Sequence, residues 1–149
     1  MHIRALSKLE CTDLLSAARL ARLACTRNGR PYVVSIHFAF ANDCLYAFSM
    51  PGQKIESMRE NPEVCLLIEE EGPGRAWKSV MVDGRFEELP DRIRYKVERE
   101  RAASLLGKHS HWWEPGALKL VTPRVSDNLD YVFFRIVVEQ LSGREAIEA

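Results

Sequence analysis

A chain of 149 residues is long enough to bury one sizeable core, and a single domain over residues 1–149 is expected. With 46% apolar and 28% charged residues, and 21 basic against 21 acidic side chains, the formal net charge is zero. That balance argues against a sequence-independent nucleic-acid binder, and no apolar run approaches the length of a membrane-spanning helix.

The opening MHIRALSKLECTD has no apolar centre of the length a signal peptide needs. Within it, Ser7 and Glu10 make a capping box that opens a short amphipathic helix over about Leu9 to Ala18. A strand follows through Leu20 to Thr26, and Asn28-Gly29 is a hairpin signal because both residues tolerate positive φ. PYVVSIHFAFA then alternates: Val34, Ile36, Phe38 and Phe40 face one way, Val33, Ser35, His37 and Ala39 the other. Asn42-Asp43 turns the chain into a strand from Cys44 to Ser49.

A Pro51-Gly52 corner precedes a short helix over about Lys54 to Asn61, which Pro62 stops. Val64 to Glu70 reads as a buried strand, and Gly72-Pro73-Gly74 as a loop. Trp77 to Leu89 is a long strand with Gly84 as a bulge or bend. A helix is expected from about Asp91 to Leu106, its Arg92–Arg101 stretch forming a solvated face interrupted by Glu98 and Glu100. Residues 108–130 read as irregular, Tyr131 to Leu141 as a last strand, and the final eight residues as a frayed tail. Six strands joined mostly by hairpins, with few helices, point to a closed or nearly closed antiparallel barrel. Cys11, Cys25, Cys44 and Cys65 are widely spaced and form no CxxC pair, so reduced thiols in a cytoplasmic protein are expected.

No Walker loop, GxSxG, HExxH or GxGxxG is present. His109 and His111 could share a face in an extended segment, but no third metal ligand stands at useful spacing, so no metal is expected. His37 is either a hydrogen-bonded barrel histidine or a group near a ligand. Lys54 opposes the helix dipole where it stands, a small cost an exposed lysine can tolerate. A phosphate would reverse that cost, because the free N–H groups of the helix start and the Lys54 ammonium would act on one anion. Lys78 shares strand parity with Val80, Val82 and Phe86, so it must snorkel from the strand end or meet an anion.

ARLACTRNGRPYVVSI, LYAFSMPGQKIESMRENPEVCLLIEE and KSVMVDGRFEEL stand in this order along the chain. Together they resemble the FMN-binding split-barrel family related to pyridoxamine 5'-phosphate oxidase, and more narrowly its short nitroimidazole-resistance-type members. The resemblance implies a mainly β fold, a six-stranded antiparallel Greek-key barrel with flanking helices. It also implies a homodimer with FMN at its seam. It puts Gln53 and Lys54 at the flavin phosphate, and Val34, Ser35 and Ile36 along the ring and ribityl chain through backbone groups. Phe48 and Ser49 would come from the adjacent strand end, with Lys78 and Ser79 completing the site. His37, Trp112 and Trp113 are possible pocket or partner-subunit contacts, burial in the dimer interface being the favoured alternative for the two tryptophans.

Three departures separate this chain from the oxidases that give the family its name. Gln53 stands where they carry arginine, and Val34 and Ala39 stand where they carry basic residues. After Tyr131 only Arg135 and Arg144 remain of an arginine-rich substrate motif. The expectation is therefore an FMN-dependent oxidoreductase with a small-molecule electron donor and acceptor other than pyridoxamine 5'-phosphate. No residue stands out as a general acid or base, which suits chemistry carried by a cofactor. A non-catalytic flavin- or haem-binding or sensing protein on the same barrel is the alternative.

Overall fold

A computed structural model describes residues 1–107 and 131–148 of the protein. His109, His111, Trp112 and Trp113 lie outside the described residues. Strand β1 (His2–Ala5) leads into helix α1 (Lys8–Ala17). The capping box is formed: Ser7 Oγ accepts the Glu10 N–H at 3.1 Å, and Glu10 Oε1 accepts the Ser7 N–H at 3.0 Å. Strands β2 (Leu20–Arg27) and β3 (Arg30–His37) join through Asn28 and Gly29 at φ 49° and 77°. Strands β4 (Ala39–Ala41) and β5 (Cys44–Ser49) join through Asn42 and Asp43 at φ 52° and 56°. Helix α2 (Gln53–Glu60), strands β6 (Glu63–Glu71) and β7 (Trp77–Glu88), helix α3 (Lys96–Gly107) and strand β8 (Val132–Ile147) complete the described chain.

There are eight strands among the described residues, not six. The alternating run from Arg30 to Ala41 divides at Phe38 into β3 and β4, the Phe38 N–H donating to Arg19 O at 2.9 Å one step beyond the Leu20–His37 pair. The tail is not frayed: β8 runs to Ile147, pairing with β7 along one edge and with β1 along the other. Helix α3 starts at Lys96, later than Asp91, because a 3-10 turn over Ile93–Tyr95 comes first. The basic residues of the Arg92–Arg101 stretch are exposed except for one arginine. Arg99 is 7% exposed, donates from Nη1 to Leu89 O at 2.6 Å and lies over the Phe133 ring at 4.8 Å.

The strand order is β3-β2-β6-β7-β8-β5-β4, antiparallel throughout, with β1 added to β8. One core takes residues from both ends of this order, Ile36 of β3 and Leu45 of β5 among them, together with Leu23, Leu66, Val82 and Phe134. The sheet therefore rolls around a common interior and stays split between β3 and β4, as the barrel expectation required. Leu15 of α1 and Ile55 and Met58 of α2 enter the same core. Helix α3 covers the outer side of β5, where Tyr46, Phe48, Ala102, Leu106 and Phe133 form a second cluster. Gly84 lies at the register shift between β7 and β8, where a Cβ would stand 2.5 Å from Ile136 Cγ2.

An ionic chain ties β1 to the rest. Arg4 Nη2 lies 2.5 Å from Glu10 Oε2 and 2.6 Å from Glu145 Oε2, and Lys78 Nζ lies 4.0 Å from Glu145 Oε1. The Arg4 hydrogen bond, helped by the Ser7 N–H, holds the Glu10 carboxyl at about 2, below its ordinary 4.5. A depressed carboxylate stabilises fully above its ordinary value and loses that contribution as pH falls toward the folded value. Amide protection in β1 should therefore drop between about pH 4.5 and 2, ahead of β7. An Arg4→Ala variant should lack this step in hydrogen exchange, and a step that persists there would assign it to another group.

Candidate functional site

The Pro51-Gly52 corner starts α2 with no side-chain cap, and a Cβ placed on Gly52 would meet nothing within 4 Å. The first-turn N–H groups of α2 thus receive no capping side chain. Ile55 and Met58 bury the other side of the helix against the core, which sets α2 upon β2. Lys54 is half-buried beside this start, and its charge reaches Cys25 on β2: burial pushes the Cys25 thiol up, and Lys54 pulls it back. Gln53 is exposed, and its Oε1 accepts a hydrogen bond from Arg27 Nη1 at 2.8 Å. Arg27 of β2 and Gln53 of α2 therefore meet at one end of the barrel, with Lys54 the next residue along the helix.

On β3, Ile36 is buried in the core and Val34 packs partly against it, so both side chains point inward. Only their backbone groups can serve a ligand. β3 terminates the strand order, leaving one backbone edge outside the described ladder. Ser35 faces outward and accepts from Arg22 Nη1, and His37 ends the same outward row opposite Leu20. At the end of β5, the Phe48 ring packs against Tyr131 at 5.1 Å and Phe133 at 5.8 Å, under α3. Ser49 is 2% exposed and donates to Met50 O at 2.8 Å. These two residues are packed into the scaffold.

Lys78 and Ser79 lie elsewhere. Lys78 faces Glu70 on one side and Glu145 on the other, so its anion is supplied by its own chain. Ser79 points outward and lines a cavity of about 510 Å³ at the β6–β7 turn with Leu67, Glu69, Arg75 and Trp77. The Lys54 end is level with Cys65 on β6, through the pairing of Ala24 with Cys65, whereas Lys78 is level with Glu70. Five strand residues separate the two levels, about 17 Å at about 3.4 Å each. A second cavity, about 460 Å³ beside Cys25, is lined by Glu63, Asp83 and Glu139, and those carboxylates would repel a phosphate.

A family model described as pyridoxamine 5'-phosphate oxidase matches residues 7–145. The chain belongs to the pyridoxamine 5'-phosphate oxidase family. A crystal structure of a protein from Mesorhizobium loti, described as FAD-binding, is 56% identical. It superposes at a TM-score of 0.82 over 99% of this chain and 100% of that one. A protein of undetermined function from Rhizobium meliloti is 47% identical over 146 residues, 98% of this chain and 97% of that protein. A Bacteroides thetaiotaomicron structure assigned to 5-nitroimidazole antibiotic resistance is 22% identical, with a TM-score of 0.73 over 97% of this chain and 89% of its own. At that identity it shows the shared split-barrel fold alone.

Within this family member, Arg27 is the residue that sequence reasoning passed over. Its parity is that of Ala21, Leu23 and Cys25, all buried. An arginine closing an inward-facing row has to reach around the barrel rim, and that was the available signal. What remained hidden was its partner, because Gln53 lies 26 residues away.

Proposed function

We propose that this member of the pyridoxamine 5'-phosphate oxidase family binds FMN at the seam of a homodimer and acts as a flavin-dependent oxidoreductase. The observation that carries the reading is Lys54, half-buried at a helix start that no side chain caps. An ammonium beside N–H groups that no side chain caps suits a phosphate. The FAD-binding description of the 56% identical relative supports a flavin, and FMN and FAD share the ribityl phosphate that Lys54 would hold. FMN in particular rests on the family resemblance.

The bound flavin would supply two-electron transfer, accepting a hydride from one small molecule and passing it to another. The chain's own part is binding and orientation. Lys54 and the α2 N–H groups hold the phosphate, and the β3 backbone at Val34, Ser35 and Ile36 aligns the ring. Lys78 and Ser79 come from the second subunit, which accounts for their distance from Lys54 within one chain. Pyridoxamine 5'-phosphate is a poor fit as substrate, since Val34 packs into the core and Ala39 is buried where the name-giving oxidases carry basic groups. Among the described residues no helix is long and apolar enough to cross a membrane, and all four cysteines are free thiols. Both suit the cytoplasm.

The purified protein is expected to absorb near about 450 nm, as flavins do, whereas haem would give a band near about 400 nm. Chromatography of the heat-released cofactor should return FMN; FAD would correct the nucleotide and keep the flavin reading. A colourless protein that ignores added FMN overturns the proposal. Turnover with NADH or NADPH and a quinone or nitroaromatic acceptor is expected, and a bound flavin that stays inert would make the protein a carrier or sensor.

A further inference from the structure

We propose that Arg27 is the second cation of the flavin phosphate site, replacing from β2 the arginine that the name-giving oxidases carry on the helix at position 53. The inference rests on the flavin reading above and adds a specificity residue to it. Arg27 follows the buried row of Ala21, Leu23 and Cys25, so its side chain leaves β2 on the side where α2 packs. Its Nη1 donates to Gln53 Oε1 at 2.8 Å, which fixes the guanidinium beside the start of α2. Lys54 follows Gln53 directly at that helix start, and its charge is felt at Cys25 on β2.

The chemistry explains why a glutamine suits position 53. A guanidinium has five N–H donors, and one bond to an amide oxygen leaves the remainder for an anion. An arginine at position 53 would instead face Arg27 at close range and repel it. Gln53 is thus the neutral acceptor that lets the cation arrive from the neighbouring strand. Arg27 is exposed, and among the described residues no ion pair ties it to a carboxylate. Its charge is available to the phosphate. Lys54 and Arg27 approach from two elements and would together balance a phosphate dianion that either alone would half neutralise.

The test compares FMN with riboflavin, which lacks the phosphate, in titrations of the apoprotein. Arg27→Ala should weaken FMN by about tenfold, the effect of one charge-assisted contact, and leave riboflavin unchanged. Adding Gln53→Arg to Arg27→Ala should restore FMN affinity, because the guanidinium is then returned from the helix side. Equal loss of FMN and riboflavin would make Arg27 a scaffold residue, and wild-type FMN affinity in Arg27→Ala would remove it from the site; either overturns the inference. Lys54→Ala separates this failure from failure of the flavin reading. If Lys54→Ala loses FMN and Arg27→Ala does not, only the second cation is wrong, whereas wild-type protein that never binds FMN brings down both.

Discussion

Replacing Lys54 by alanine is expected to weaken FMN binding by about 1.5–3 kcal/mol, about 10- to 150-fold. The magnitude is that of hydrogen bonds to charged groups, and it applies because the Lys54 ammonium would hold the phosphate together with Arg27 and the helix N–H groups. Riboflavin affinity should not move, since Lys54 has no role along the ring. Thermal stability should change little, because the buried side of α2 is made by Ile55 and Met58. Lys54→Arg should retain part of the affinity: the charge is kept, but a planar fork replaces a compact head. Calorimetric titration of the apoprotein checks all of this. A variant that binds FMN as tightly as the wild type would move the phosphate elsewhere in the protein.

Residues 20–49 were legible because two simple signals agree there. Period-two alternation set the faces of β3, and Asn-Gly and Asn-Asp, which tolerate positive φ, marked the turns on either side. The end of β8 carried neither signal. LSGREAIE mixes charged residues with a glycine, and its strand state comes from pairing with β1 and β7. Gly143 shows why propensity misled: a Cβ there would lie 2.7 Å from Cys11 Sγ, so a poor strand former is required where α1 presses on the sheet. β1 is four exposed residues with no alternation to read, and it exists because β8 offers an edge.

The site divides along the same line. Lys54 could be singled out because a lysine at a helix start is locally unfavourable, and such conflicts are visible in one dimension. Lys78 was flagged by parity with an apolar row, and the parity is correct. Its partner was not legible, because Glu145 is brought opposite by the β7–β8 register, 67 residues along the chain. Arg27 with Gln53 is the same case. A sequence states which residues need partners more readily than it states which partners they find.

The apolar outer face of the sheet makes the strongest demand on assembly. Val33 is 62% exposed, and Leu20 and Met81 are each 40% exposed. The pairs Ala24–Val33, Ala24–Cys65 and Leu67–Met81 put Val33 and Met81 on one face with half-buried Cys65 and Leu67, a face that also carries Leu20, Arg22 opposite Leu67 and Asp83 opposite Cys65. A two-fold contact would make this face self-complementary and remove it from water. It would also let the Ser79 end of one barrel reach the Lys54 end of the other, which a single chain cannot do across about 17 Å. Val33→Asp combined with Met81→Asp should therefore separate the subunits. The double variant sets four carboxylates per dimer in the seam, and each unpaired charge drawn from water costs several kcal/mol. The dimer dissociation constant should rise at least about a thousandfold, equivalent to about 4 kcal/mol. Both positions face solvent in the isolated chain, so the monomer should keep its circular dichroism and cooperative unfolding. Sedimentation should report a monomer, and FMN affinity should fall with it even though Lys54 is intact. A monomer that still holds FMN at wild-type strength would confine the flavin to one subunit and leave Lys78 and Ser79 outside the site.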